Sequence, residues 1–141
     1  MKPGKIILDT GPLVAFLNKK DQYHEWALAQ FATMIPPLLT CEAVLSESCF
    51  LLRHYENGAS NVLNLLNREL LAIPFRMKDE LNALNVLINK YKNIPMSLAD
   101  ACLVRMADQI SDSVIFTLDS DFKIYRKDRR KVIRTIMPQN L

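Results

Sequence analysis

Glycine is scarce: only Gly4, Gly11 and Gly58 occur in 141 residues. A phosphate cradle of the GxGxxG or P-loop kind needs several glycines within one short stretch, so cofactor chemistry of that type is excluded. No apolar run approaches the roughly 18–20 residues of a membrane span, and no membrane association is expected. The first apolar stretch, Ile6-Ile7-Leu8, stops at the carboxylate of Asp9, so the start of the chain is not expected to act as a signal peptide. Histidine is also rare. Neither His24 nor His54 lies beside a nucleophile motif, which leaves no Ser-His-Asp arrangement to compete. Cys41, Cys49 and Cys102 are an odd number without a CxxC pair. They are expected to be reduced, buried and inert in a reducing cytosol, and their spacing from the histidines argues against zinc.

Half of the residues are apolar, 23% are charged and the formal net charge is +3. That composition excludes disorder, and the length suits a single domain spanning 1–141. The charge is unevenly spread. Residues 123–134 carry seven basic side chains against one acid, while the remainder has a net charge of −3. A basic segment on a slightly acidic body suggests contact with a polyanion, although a solvated loop beside an edge strand would look the same.

Short apolar runs at residues 5–8, 38–39, 72–75, 114–117 and 131–136 read as strands, with Pro74 demoting the third to an edge or strand end. Asp9-Thr10-Gly11-Pro12 reads as a turn leading into a helix that begins at Leu13-Val14-Ala15-Phe16-Leu17. Helical spacing recurs over residues 22–34, from a Thr40 cap to about 55, and over 60–71, 78–92 and 97–110. Strands alternating with helices predict an α/β fold with a central, mostly parallel sheet. In such sheets a site forms beyond the carboxyl ends of the strands, where the strand order reverses.

Acidic residues occupy those places. Asp9 directly follows the first strand, and Asp119 and Asp121 follow Val114-Ile115-Phe116-Thr117-Leu118. An Asp after a strand also serves as a plain turn former. Two further acids sit on the apolar sides of helices: Glu47 shares a face with Ala43, Val44, Phe50 and Leu51, and Asp100 with Leu103, Val104 and Ala107. Asp100 also fits a capping box opened by Ser97, and Glu47 fits the edge of an apolar stripe. Carboxylates gathered at one sheet end repel one another unless some stay protonated or a cation neutralises them. Oxygen-only ligands select a hard divalent ion, Mg²⁺ or Mn²⁺. Such an ion polarises a phosphoryl oxygen and lowers the pKa of water, which suggests metal-assisted phosphodiester hydrolysis.

At this point the chain resembles the PIN-domain family, and within it the VapC-type ribonuclease toxins of bacterial toxin–antitoxin pairs. The resemblance is carried in order by residues 6–17 (IILDTGPLVAFL), 39–48 (LTCEAVLSES), 98–104 (LADACLV) and 116–122 (FTLDSDF), and it extends over nearly the whole chain. It implies a three-layer α/β/α sandwich and an endoribonuclease whose metal-binding, catalytic acids are Asp9, Glu47, Asp100 and Asp119, with Asp121 assisting. Thr10 and Thr117 match the small hydroxyl positions beside them. Glu42, an ordinary first-turn acid by position, is the rival for the Glu47 role. Whether Asp119 or Asp121 reaches the metal stays open. The resemblance further implies a homodimer and a small cognate antitoxin in the cytoplasm.

Under this resemblance Arg126, Lys127, Arg129, Arg130 and Lys131 are expected to grip the RNA backbone, since phosphate contacts position a strand without specifying its sequence. One alternative is a catalytically inactive PIN-like module that binds RNA or protein, although such a module would be expected to lose acids. A phosphatase using Asp9 as nucleophile is a second alternative, but it lacks an acid two residues on, where Gly11 stands. Leu13, Val14, Phe16, Leu17, Trp26, Phe31 and Met34, with Cys49, Phe50, Leu51 and Leu52, exceed one buried stripe per helix. Part of this surface is therefore expected to be exposed as an interface for a second copy or for an antitoxin's amphipathic segment.

Overall fold

The computed structural model describes residues 5–141; residues 1–4, with Gly4 and the first part of the start read as carrying no signal peptide, lie outside them. In chain order the elements are β1 (Lys5–Leu8), α1 (Thr10–Leu17), α2 (His24–Ala32), β2 (Leu38–Leu39), α3 (Glu42–Leu51), α4 (Gly58–Asn67), β3 (Leu71–Ala72), α5 (Leu81–Lys90), α6 (Leu98–Gln109), β4 (Ser113–Phe116), β5 (Arg126–Lys127), β6 (Lys131–Val132) and β7 (Thr135–Ile136). Single 3-10 turns at Met77–Glu80 and Ser120–Lys123 precede α5 and β5. Five strands form one parallel sheet in the order β3-β2-β1-β4-β7, and six helices flank it in an α/β/α sandwich. Among the described residues, no helix is long and apolar enough to cross a membrane.

The two central strands explain the core. Ile7, Leu8, Ile115 and Phe116 have no exposed surface, because both faces of the sheet are covered and each strand reads as a continuous apolar run. From β1 the chain builds outward through β2 to β3, then crosses back to lay β4 and β7 on the other side of β1. The strand order therefore reverses between β1 and β4, and their carboxyl ends frame the crevice where a site is expected.

Several boundaries differ from the sequence expectation for identifiable reasons. Asp9-Thr10-Gly11-Pro12 is no separate turn: Asp9 caps α1, which begins at Thr10. The cap of α3 is Cys41, because the Thr40 hydroxyl is spent donating to the Leu8 carbonyl at 2.8 Å, tying β2 to β1. That helix ends at Leu51 rather than near residue 55, since Leu52 turns inward and is buried. The run 131–136 splits in two: β6 pairs antiparallel with β5, whereas β7 pairs parallel with β4. Buried Ile133 and the Arg134–Asp112 ion pair at 3.1 Å occupy the break.

The apolar surplus of the first two helices goes only partly inward, because Phe16, Phe31 and Met34 are half-buried and line an open apolar groove with Leu28. Leu13 and Val14 are buried, and Trp26 and Phe31 pack their rings on Phe116 at centroid distances of 5.4 and 5.2 Å. Exposed apolar side chains include Leu28 on α2 and Ile35 just after it, Phe50 (61%) and Leu51 (53%) at the end of α3, and Leu63, Leu81, Val86 and Leu98. All three cysteines are free; Cys41 and Cys102 are buried and Cys49 is partly so.

Candidate functional site

The carboxyl ends of β1 and β4 open into a cleft of about 570 Å³ lined by Asp9, Thr10, Gly11, Glu47, Leu51, Ser97, Asp100, Leu118, Asp119 and Ser120. Four separate pieces of chain thus bring the four expected acids to one place. Asp121 is not among the lining residues, although it stands close enough for the Asp119 charge to act on it. Glu42 goes elsewhere. It faces a different depression, beside Arg76 and Lys78.

Local hydrogen bonds hold each acid differently. Asp9 is 6% exposed; its Oδ1 accepts from the Thr10 amide at 2.7 Å and its Oδ2 from the Thr117 hydroxyl at 2.6 Å. The same Thr117 hydroxyl accepts from the Asp119 amide at 2.9 Å, so one side chain joins the ends of β1 and β4. Asp119 Oδ1 accepts from the Asp121 amide at 2.9 Å and caps the short turn that follows. Asp100 completes the capping box of α6: the Ser97 hydroxyl accepts from the Asp100 amide at 3.0 Å, and Asp100 Oδ2 accepts from the Ser97 amide at 3.4 Å. Glu47 is exposed on α3.

One residue of this arrangement is absent from the sequence expectation. Tyr125 is fully buried, and its hydroxyl donates to Asp100 Oδ2 at 3.3 Å. It lies within the basic segment 123–134, and nothing in its spacing marks the hydroxyl as useful.

Electrostatics follow from burial and crowding. Burial pushes the Asp9 carboxyl up to about 7, and the charges of Asp100 and Asp119 add to the rise against the pull of the Thr117 and Thr10 hydrogen bonds. Asp100 is raised as well, by burial first and then by Asp119, while the Ser97 amide and Tyr125 hydroxyl oppose the shift. Asp121 is raised by partial desolvation and by Asp119. The neighbouring Cys41 and burial push the Cys102 thiol upward.

Among the described residues, no group of three or more His, Cys, Asp or Glu side chains is already gathered tightly enough to ligate one ion. The donor set nonetheless fits a hard divalent cation. It is all oxygen, and Asp100 Oδ1 and Asp119 Oδ2 accept no hydrogen bond from the described residues. The Thr10 hydroxyl, buried in the same cleft, also has no partner.

The basic residues fall on the β5–β6 hairpin. Arg129, Arg130 and Lys131 are exposed at its tip and Lys127 is partly buried. Arg126 turns back instead, and its Nη1 donates to the carbonyls of Lys123, Ile124 and Tyr125 at 2.7, 2.9 and 3.1 Å. The Asp128 amide donates to Asp108 on α6 at 2.6 Å, which pins the tip near the far end of that helix. Asp100 and Asp108 are eight residues apart, or about 12 Å along the helix axis.

Comparison with known proteins places these features in a family setting. The PIN domain family model matches residues 6–128. No curated protein matches the sequence. Among solved structures, the chain is similar to the crystal structure of Mycobacterium tuberculosis VapC20, a Sarcin-Ricin loop cleaving toxin. At 22% identity the match covers 85% of this chain and 94% of that one, with a TM-score of 0.73, a likeness in fold.

Proposed function

Because this chain belongs to the PIN-domain family, we propose that it is a Mg²⁺- or Mn²⁺-dependent endoribonuclease, and the toxin of a toxin–antitoxin pair. The observation that carries the nuclease reading is the meeting of Asp9, Glu47, Asp100 and Asp119 in one cleft at the switch in strand order. The likeness to VapC20 supports the toxin part of the reading and RNA as the substrate class. Cytoplasmic action accompanies it, since that is where such RNA would be met.

A bound divalent ion would be held by Asp9, Glu47, Asp100 and Asp119, polarising a phosphoryl oxygen and lowering the pKa of water beside it. The chain's own residues prepare for that charge. Asp9 is kept buried and oriented by Thr10 and Thr117, at a cost that only a cation or a proton relieves. Thr117 fixes Asp119 relative to Asp9. Asp121 assists through the amide that it donates to Asp119. Glu47 adds its carboxylate from the exposed side of α3.

Substrate is gripped away from the cut. Arg129, Arg130, Lys131 and Lys127 would contact phosphates, while Arg126 holds the turn that presents them. An RNA strand held at the hairpin tip and cut beside Asp100 spans about 12 Å along α6. Phe50, Leu51 and Leu98 are exposed, and Leu51 lines the cleft itself, which suits an antitoxin segment that covers the acids; Leu63, Leu81 and Val86 remain for self-association as a homodimer. The test is cleavage of end-labelled RNA by the purified chain. Products should form with Mg²⁺ or Mn²⁺ and not with EDTA, and equal cleavage in EDTA would overturn the metal reading.

A further inference from the structure

We propose that Tyr125 is a positioning residue for the metal site, acting through Asp100; the proposal rests on the reading of that cleft as a divalent-cation site. The phenol ring is fully buried and held edge-on by Tyr91 and Phe122, with centroids 5.0 and 5.3 Å away. Its backbone amide donates to the Asp121 carbonyl at 3.1 Å, so the ring is anchored from the Asp119–Asp121 side of the cleft. Its hydroxyl reaches Asp100 Oδ2 at 3.3 Å, the same oxygen that accepts from the Ser97 amide. Two protein donors therefore share one carboxylate oxygen, and Oδ1 is left without a donor from the described residues, available to a cation. Groups that orient a ligating carboxylate in this way typically change metal affinity by about 10- to 100-fold when removed.

The hydroxyl has a second consequence. Residues 119–127 run from the Asp119 turn through Tyr125 into the basic hairpin, and the Arg126 amide donates to the Tyr91 hydroxyl at 3.0 Å. Tyr125 thus joins α6, which carries Asp100, to the segment that carries both Asp119 and the phosphate-contacting residues. Loss of its hydroxyl loosens Asp100 without removing any ligand or altering the packing of the ring.

The experiment is a Mn²⁺ titration of the whole chain followed by electron paramagnetic resonance of free Mn²⁺, with melting curves as a check on folding. Tyr125→Phe is expected to weaken Mn²⁺ binding about tenfold. Tyr55→Phe removes a hydroxyl that bonds Asn18 and touches no carboxylate, and it should stay within about twofold of wild type. In an Asp100→Asn background, Tyr125→Phe should have no further effect, because the group it orients is already gone. Unchanged Mn²⁺ affinity in Tyr125→Phe, or an equal loss in the Asp100→Asn background, would overturn the role of Tyr125 alone. A wild-type chain that binds no Mn²⁺ would overturn the cation site itself, and the role of Tyr125 with it.

Discussion

Replacing Asp9 with Asn should make the metal-free protein more stable and the enzyme inactive. The Asp9 carboxyl is raised from 3.8 to about 7 by burial and by its acidic neighbours. A folded-state pKa above the unfolded one means that the folded chain holds this proton more tightly. Stability is then greatest at low pH, falls as pH rises from about 4 to 7, and levels off above that. Roughly three units at about 1.4 kcal/mol each place the cost of the buried charge near 4 kcal/mol at pH 8. Asn removes the charge but gives up the hydrogen bond from the Thr117 hydroxyl, a loss of about 1 kcal/mol. The net gain of about 2–3 kcal/mol corresponds to a melting temperature higher by roughly 6–10 °C at pH 8 in EDTA. The difference should pass through zero between about pH 4 and 5 and reverse slightly below that, where only the lost hydrogen bond remains. Saturating Mg²⁺ should stabilise only the wild type, by about 2.7 kcal/mol at a hundred times the dissociation constant, closing most of the gap. Cleavage of RNA should fall by two or more orders of magnitude in the variant. The reasoning is refuted if Asp9→Asn melts below wild type at pH 8 in EDTA, or if the gap is the same at pH 5 and pH 8.

Other outcomes follow from the same geometry. Because a cation must displace the Asp9 proton, Mg²⁺-dependent cleavage should rise with pH up to about 7 and then level off; a flat pH–rate profile from 5.5 to 8 would contradict this. Neutralising Arg129, Arg130 and Lys131 together should weaken binding to all RNA sequences alike and flatten the log–log salt slope by about 0.7 for each phosphate of a single strand that is no longer neutralised. An unchanged slope would return the hairpin to a solvated loop. Expression of the chain alone should arrest growth, and co-expression with a short neighbouring gene for its antitoxin should relieve the arrest. Light scattering should show a dimer; a monomer that is harmless and copurifies with nothing would remove the toxin reading and leave the nuclease one standing.

Much of the fold is legible because the physics that sets it is local. β1 and β4 are short apolar runs that end at carboxylates, and the Ser97–Asp100 capping box announces α6. The switch in strand order then explains why acids so far apart in sequence share one cleft. Other features depend on contacts that spacing does not encode. Glu42 and Glu47 lie on one helix; position already favours Glu47, but that Glu42 faces Arg76 and Lys78 is seen only in the fold. The basic run conceals a hairpin, because its turn uses Asp128 and Arg129 at φ 45° and 73° with no glycine to mark it. Trp26 and Phe31 look surplus on α2 until Phe116 takes their rings. Tyr125 is hidden within the basic run, and only the fold buries it and sets its hydroxyl beside Asp100.

The most direct test of the central claim is a crystal of the chain soaked in Mn²⁺ and measured at the manganese absorption edge. An anomalous peak bounded by Asp9, Glu47, Asp100 and Asp119, and absent from the Asp9→Asn variant, is the predicted result. A saturated crystal whose manganese lies elsewhere, with no peak between those four carboxylates, would contradict it.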